Sequence, residues 1–178
     1  LEMGASRKGD INELISIARP NIVALLNVSA AHLETFKSID NILLTKEEIF
    51  LNQGFDKTVI LNKDDEYFNR WIKKNSLNNV RTISSMNRNS DYSALIISKN
   101  QIAVKTPYES LFNLTVHNIE SHNILNILFA IAMSCEVGAR SQHIIPALDH
   151  YSGIKGRSKI YNGLNNSKII DGSYNANP

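Results

Sequence analysis

The chain has 178 residues, 43% of them hydrophobic and 20% charged, and a formal net charge of +2. That length supports one domain with a sizeable core, or one domain and part of a second. The small net charge argues against nucleic acid or an anionic membrane as partner, and the lone cysteine, Cys135, excludes an internal disulfide framework. Cys135 lies in the apolar run "ILFAIAMSCEVG", where packing is its expected role. No stretch reaches the length of a membrane span, and the opening "LEMGAS" is no basic leader, which fits the cytoplasm.

In chain order, "LEMG" reads as the end of a strand. "DINELISIARP" places Ile11, Leu14, Ile15 and Ala18 at helical spacing, with Pro20 as a stop. "NIVALLNV" reads as a buried strand. "SIDNILLTKEEIFLNQGF" reads as one helix, with Ser38 and Asp40 as candidate caps and Gly54 just past its end. "KTVILN" is a strand, "DDEYFNRWIKKNSL" an amphipathic helix and "VRTISS" a strand. This alternation predicts βαβ units and a parallel sheet.

The pattern then changes. "YSALIISKNQIAVKTPYESLFNLTVH" holds three β-like runs with turns at "KNQ" and "TPYES", read as a small antiparallel addition. "ESHNILNILFAIAMSCEVG" is a helix apolar on most sides, so a buried one is predicted. "SQHIIPALDHYSG" is a shorter helix that contains Pro146, a residue tolerated only in a first turn or at a kink. "GIKGRSKI" reads as a hinge, and "SKIIDGSYNANP" as a strand running into a polar loop. The truncated look of both ends leads to the expectation of a piece excised from a longer chain.

Two glycine-bearing stretches are not phosphate loops. In "GASRKGDI" the glycines have the right separation, but Asp10 and Ile11 stand where Lys and Ser or Thr are needed. In "GIKGRS" the glycines are too close together.

Three residues occupy positions of chemical interest. Glu2 lies at an expected strand end, His32 follows the next strand in "NVSAAHLETF", and Lys46 lies in the helix after it. Ligands of a doubly wound sheet bind at the carboxyl ends of its strands, so Glu2 and His32 are candidates to meet there. Each also has a plainer reading: a solvated carboxylate, a helix-capping histidine, and a surface lysine beside Glu47 and Glu48.

The series "LEMGAS…GDI", "NVSAAHLETFKSIDNI", "TKEEIF", "SHNILNILFAIAMS", "GIKGRS" and "DGSYNANP" resembles the Mur ligases, ATP-dependent amide-bond-forming enzymes of peptidoglycan synthesis. "AAHLETF" and "SYNANP" are most similar to the members that add D-alanyl-D-alanine to UDP-MurNAc-tripeptide. The resemblance implies a mostly parallel α/β sheet flanked by helices, akin to P-loop NTPases, with a small antiparallel β addition. Residues 1–154 would be the central ATPase-like domain without its phosphate-loop part, and 155–178 the start of a C-terminal Rossmann-like domain.

The resemblance also implies roles. Glu2 and His32 match magnesium ligands, and Lys46 matches a lysine carbamylated by carbon dioxide. An ammonium repels a metal ion, whereas a carbamate on the same stem offers two anionic oxygens to a hard cation. Asn123 matches a residue near the nucleotide base, and Arg157 an arginine that approaches the ATP phosphates. Asp171, Tyr174 and Asn175 match the loop that closes on the nucleotide. ATP and magnesium are the implied cofactors, and a monomer without nucleic acid or membrane insertion is expected. Ala31, where related ligases tend to carry Asp, sets "AAHLETF" apart from them, while the chain departs from the matched members at Gly172, where a second acid is common, and in the basic residues of "SRKGDI". Alternatives are a folylpolyglutamate synthase-like ligase and a non-catalytic nucleotide-binding module.

Overall fold

A computed structural model describes residues 1–30, 33–51, 57–75, 77–86, 89–116, 121–151 and 159–173. Its elements are α1 (Asp10–Ala18), β1 (Ile22–Leu25), α2 (Leu33–Phe36), α3 (Ile39–Glu47), a 3-10 turn (Glu48–Phe50), β2 (Thr58–Asn62) and α4 (Phe68–Lys74). They continue with β3 (Val80–Ser84), β4 (Tyr92–Ser98), β5 (Gln101–Lys105), β6 (Phe112–Thr115), α5 (Ser121–Glu136), α6 (Ser141–Asp149), β7 (Lys159–Asn162) and β8 (Lys168–Asp171).

The first six strands form one sheet in sequence order. β1, β2, β3 and β4 are parallel neighbours, and β5 and β6 extend the sheet antiparallel. The antiparallel run is therefore a continuation of the parallel sheet. A long crossover between β3 and β4 is unnecessary because they overlap only at Ile83–Tyr92 and Ser84–Ser93.

Alternation along the strands explains the layers, because successive side chains point to opposite faces. Ile60 of β2 and Ile83 of β3 join Ile102 and Val104 in a core closed by Ile124, Leu128, Phe129 and Ala132 of α5 and Ile144 of α6. Val23, Leu25, Val59 and Leu61 point the other way, toward Phe36, Ile42, Leu43, Phe50 and Trp71. Apolar residues at every strand position are what a sheet covered on both sides requires.

Helix α5 is buried along one stripe, not all round: Ile124, Leu128, Ile131, Ala132 and Cys135 are covered while Met133 is exposed. Burial pushes the Cys135 thiol up, as expected of a packing cysteine. The end of α5 is tied to the sheet through Glu136, whose Oε1 accepts from Tyr92 Oη at 2.8 Å, Arg81 Nε at 2.9 Å and Tyr108 Oη at 3.1 Å. Pro146 does lie inside α6.

Four local readings differ from the structure, the first being the single helix read from "SIDNILLTKEEIFLNQGF", which ends at Glu47 and passes into the 3-10 turn Glu48–Phe50. Residues 1–5 form no strand, since they carry no ladder hydrogen bonds. The helix read from "DDEYF" starts later, at Phe68, because Asp65 Oδ1 accepts from the Tyr67 amide at 2.9 Å and holds a turn there. The region after the hinge is a hairpin in a separate two-stranded sheet, β7–β8. Asn165 and Asn166, at φ 53° and 60°, turn it in the left-handed region that asparagine tolerates.

Candidate active site at the carboxyl edge of the sheet

Because β1, β2 and β3 run in one direction, the segments that follow them share one edge. Those segments carry Asn27 and Val28, then Lys63, Asp64 and Asp65, then Ser85 and Met86. The first turns of α5 reach the same edge. Leu125, Asn126 and Phe129 line a cavity of about 120 Å³ with Leu26 and Asn27, and Ile124 lines one of about 290 Å³ with Ser85, Met86, Ala94, Leu95 and Ile96. Asn123, the residue matched to the nucleotide base, is half-buried in the first turn of α5.

Lys46 reaches this edge from the last turn of α3. Its Nζ donates to the Asn27 carbonyl at 2.7 Å. Burial lowers the pKa of its ammonium below the ordinary lysine range, while the Asp65 charge acts in the opposite direction. A lysine so placed is half-buried, not the solvated surface residue that its acidic neighbours suggest.

Those neighbours are themselves buried. Glu47, 6% exposed, accepts from Arg70 Nε at 3.0 Å and Lys74 Nζ at 2.7 Å, which ties α3 to α4. Glu48, 8% exposed, accepts from the amides of Gly9 at 2.7 Å and Asn12 at 3.1 Å. It thereby caps α1 from a distant part of the chain, where the helix dipole favours an anion. Lys46 thus stands beside two carboxylates that each anchor a different helix.

The carboxyl end of β2 supplies two more acids. Asp64 accepts from the Ser84 hydroxyl and from the Ser85 amide at 2.8 Å, joining β2 to β3. Asp65 Oδ2 accepts from the Val28 amide at 3.1 Å, joining β2 to the segment after β1. The sequence reading missed both. Its available signal was a pair of acids immediately after an apolar strand.

The remaining predicted residues divide by position. Glu2 is exposed and makes no hydrogen bond or ion pair among the described residues. Asp171 ends β8, and its Oδ1 accepts from the Ser173 hydroxyl at 2.7 Å. His32, Arg157, Tyr174 and Asn175 lie outside the described residues. Among the described residues no three His, Cys, Asp or Glu side chains converge as a metal site. The glycine-bearing loop before α1 is closed to phosphate, because Asp10 Oδ2 already accepts from the amides of Ser6 at 2.8 Å and Arg7 at 3.0 Å.

Known proteins place this arrangement. Residues 1–134 match the model of the Mur ligase middle domain. The UDP-N-acetylmuramoyl-tripeptide–D-alanyl-D-alanine ligase of Escherichia coli (strain K12) is 31% identical over 181 residues, covering 99% of this chain and 40% of that enzyme. Among solved structures, MurF from Acinetobacter baumannii superposes with a TM-score of 0.85 at 24% identity, covering 99% of this chain and 39% of that one. MurF from Thermotoga maritima, solved in complex with ADP, gives a TM-score of 0.76 at 26% identity, covering 99% and 40%. The chain spans about two fifths of the length of these relatives. With the family model matching well over half its residues, and a sheet edge built as described, this chain belongs to the Mur ligase family.

Proposed function

We propose that the chain is the central part of an ATP-dependent amide ligase that joins D-alanyl-D-alanine to UDP-MurNAc-tripeptide. The tripeptide carboxylate attacks the γ-phosphorus of ATP, giving an acyl phosphate and ADP. The dipeptide amine then attacks the acyl carbon, phosphate leaves, and a proton is released. The separate β7–β8 sheet supports reading residues 155–178 as the start of a C-terminal domain, with 1–154 as the central one. Asn123 would contact the base, and Asp171, Tyr174 and Asn175 would close on the nucleotide.

The observation that carries this reading is Lys46. A half-buried amine with a lowered pKa, fixed by one hydrogen bond at the ligand edge of the sheet, suits reaction with carbon dioxide. As a carbamate, with Glu2 and His32, it would give magnesium the hard donors it takes. Magnesium, when bound, would offset charge on the phosphate oxygens, and Arg157 would present a planar cation to them.

The test is substitution in the full-length protein. Lys46→Ala and Lys46→Arg are both expected to stay folded and lose at least about 100-fold in ATP-dependent ligation. A small added carboxylic acid should partly restore Lys46→Ala, whose vacated space it can enter, and should leave Lys46→Arg inactive. Near-normal turnover in Lys46→Arg would show that a cation suffices there and would refute the carbamate.

A further inference from the structure

Asp65 is placed to act on Lys46 without belonging to the predicted donor set. Its carboxylate spans two segments: Oδ1 accepts from the Tyr67 amide at 2.9 Å, and Oδ2 from the Val28 amide at 3.1 Å. The first bond is local and shapes the turn before α4. The second crosses from the end of β2 to the segment after β1. Val28 follows Asn27, whose carbonyl accepts from Lys46 Nζ at 2.7 Å. Three contacts therefore form one chain, from the α4 turn through the Asn27–Val28 backbone to the lysine.

We propose that Asp65 is a positioning residue for Lys46, holding the Val28 amide so that the Asn27 carbonyl stays where the Lys46 nitrogen docks. This inference rests on the carbamate reading of Lys46. In that step the neutral amine's lone pair bonds to the carbon of carbon dioxide. One C=O electron pair moves onto oxygen, and one N–H proton leaves to water. The product nitrogen keeps a single N–H, and the Asn27 carbonyl accepts it before and after the reaction. A fixed acceptor for that one proton limits how the nitrogen rotates, and so where the new carboxylate lies. The charge of Asp65 has the opposite sense, since an anion disfavours a second anion nearby. Its contribution is the clamp on the backbone, and the two roles predict opposite outcomes on neutralisation.

The local turn and the clamp are separated by Asp65→Ser. A serine hydroxyl can accept from the amide two residues on, as the Asp65 side chain does with Tyr67, but is too short to bridge to Val28. The experiment is carbon NMR of the full-length protein in ¹³C-bicarbonate, with Lys46→Arg to identify the carbamate signal. Asp65→Ser and Asp65→Asn are expected to unfold cooperatively and to show carbamate occupancy lowered about tenfold, the scale of losing a contact that orients a ligand. Unchanged or increased occupancy in a folded variant would overturn the role of Asp65 alone. Failure of both variants to fold would also overturn it, assigning Asp65 to the α4 turn. Absence of the signal from the unsubstituted protein would instead overturn the carbamate reading beneath it.

Discussion

Lys46 lies in the chain between a buried threonine and two buried glutamates, and its amine is held by the Asn27 carbonyl. Thr45 is 1% exposed, Glu47 6% and Glu48 8%, and each is held: Thr45 Oγ1 donates to the Asn41 carbonyl at 2.8 Å, and the two acids anchor α4 and α1. Burying a carboxylate is unfavourable unless donors meet it, and here they do. Glu48 is the sharper case, because its partners are backbone amides at the N-terminal end of α1. Glu48→Ala leaves the Gly9 and Asn12 amides without that acceptor and is expected to cost about 2 kcal/mol. Chemical denaturation of the full-length protein reads this directly. Unchanged stability would show that water replaces the carboxylate at that helix end.

Between elements, loops and helix ends join the sheet to its helices. The loop between β5 and β6 is joined to α6 by Glu109, which accepts from the Ser141 hydroxyl at 2.6 Å and the Ser141 amide at 2.8 Å. Beside it, the Arg140 guanidinium stacks 4.3 Å from the centre of the Tyr108 ring. The Ser141 side chain first, and then its amide, hold the Glu109 carboxyl below the ordinary glutamate range. A carboxyl whose pKa is lower in the folded state stabilises the fold above its unfolded value. That contribution is lost as pH falls through the folded value. Glu109→Gln should therefore lower the urea midpoint at pH 7, and the difference from the unsubstituted protein should shrink below about pH 4. An equal deficit at both pH values would mean that the carboxylate charge is irrelevant there.

For the whole molecule, periodicity carried the architecture. Runs such as "IVALL" and "VIL" are apolar at consecutive positions, which a sheet covered on both faces demands, so the parallel strands and their helices were legible. The one-turn helix α2 was not, being too short for a 3.6-residue period to register. Strand β8 was read from "SKIID", but its partner β7 was not, and the signal for their turn was the Asn165–Asn166 pair. At the site, Lys46 was singled out through the family resemblance, while composition alone favoured a surface lysine. Its placement depends on the Asn27 carbonyl, 19 positions away, beside a Val28 amide that Asp65 holds across 37 positions, and no local pattern reports contacts of that range. Glu47 and Glu48, read only as neighbours of a surface lysine, are buried and tie α3 to α4 and to α1.

Ligation of a dipeptide to a nucleotide-linked tripeptide at this sheet edge, the function proposed above, is tested by mass spectrometry of the product made by the full-length protein from ATP, UDP-MurNAc-tripeptide and D-alanyl-D-alanine. The expected product has the summed mass of the two substrates less one water, with one ATP consumed per bond and no product from Lys46→Arg. ATP turnover that ignores both peptide substrates, or ligation of glutamate to folate when those two are supplied in their place, would refute that function.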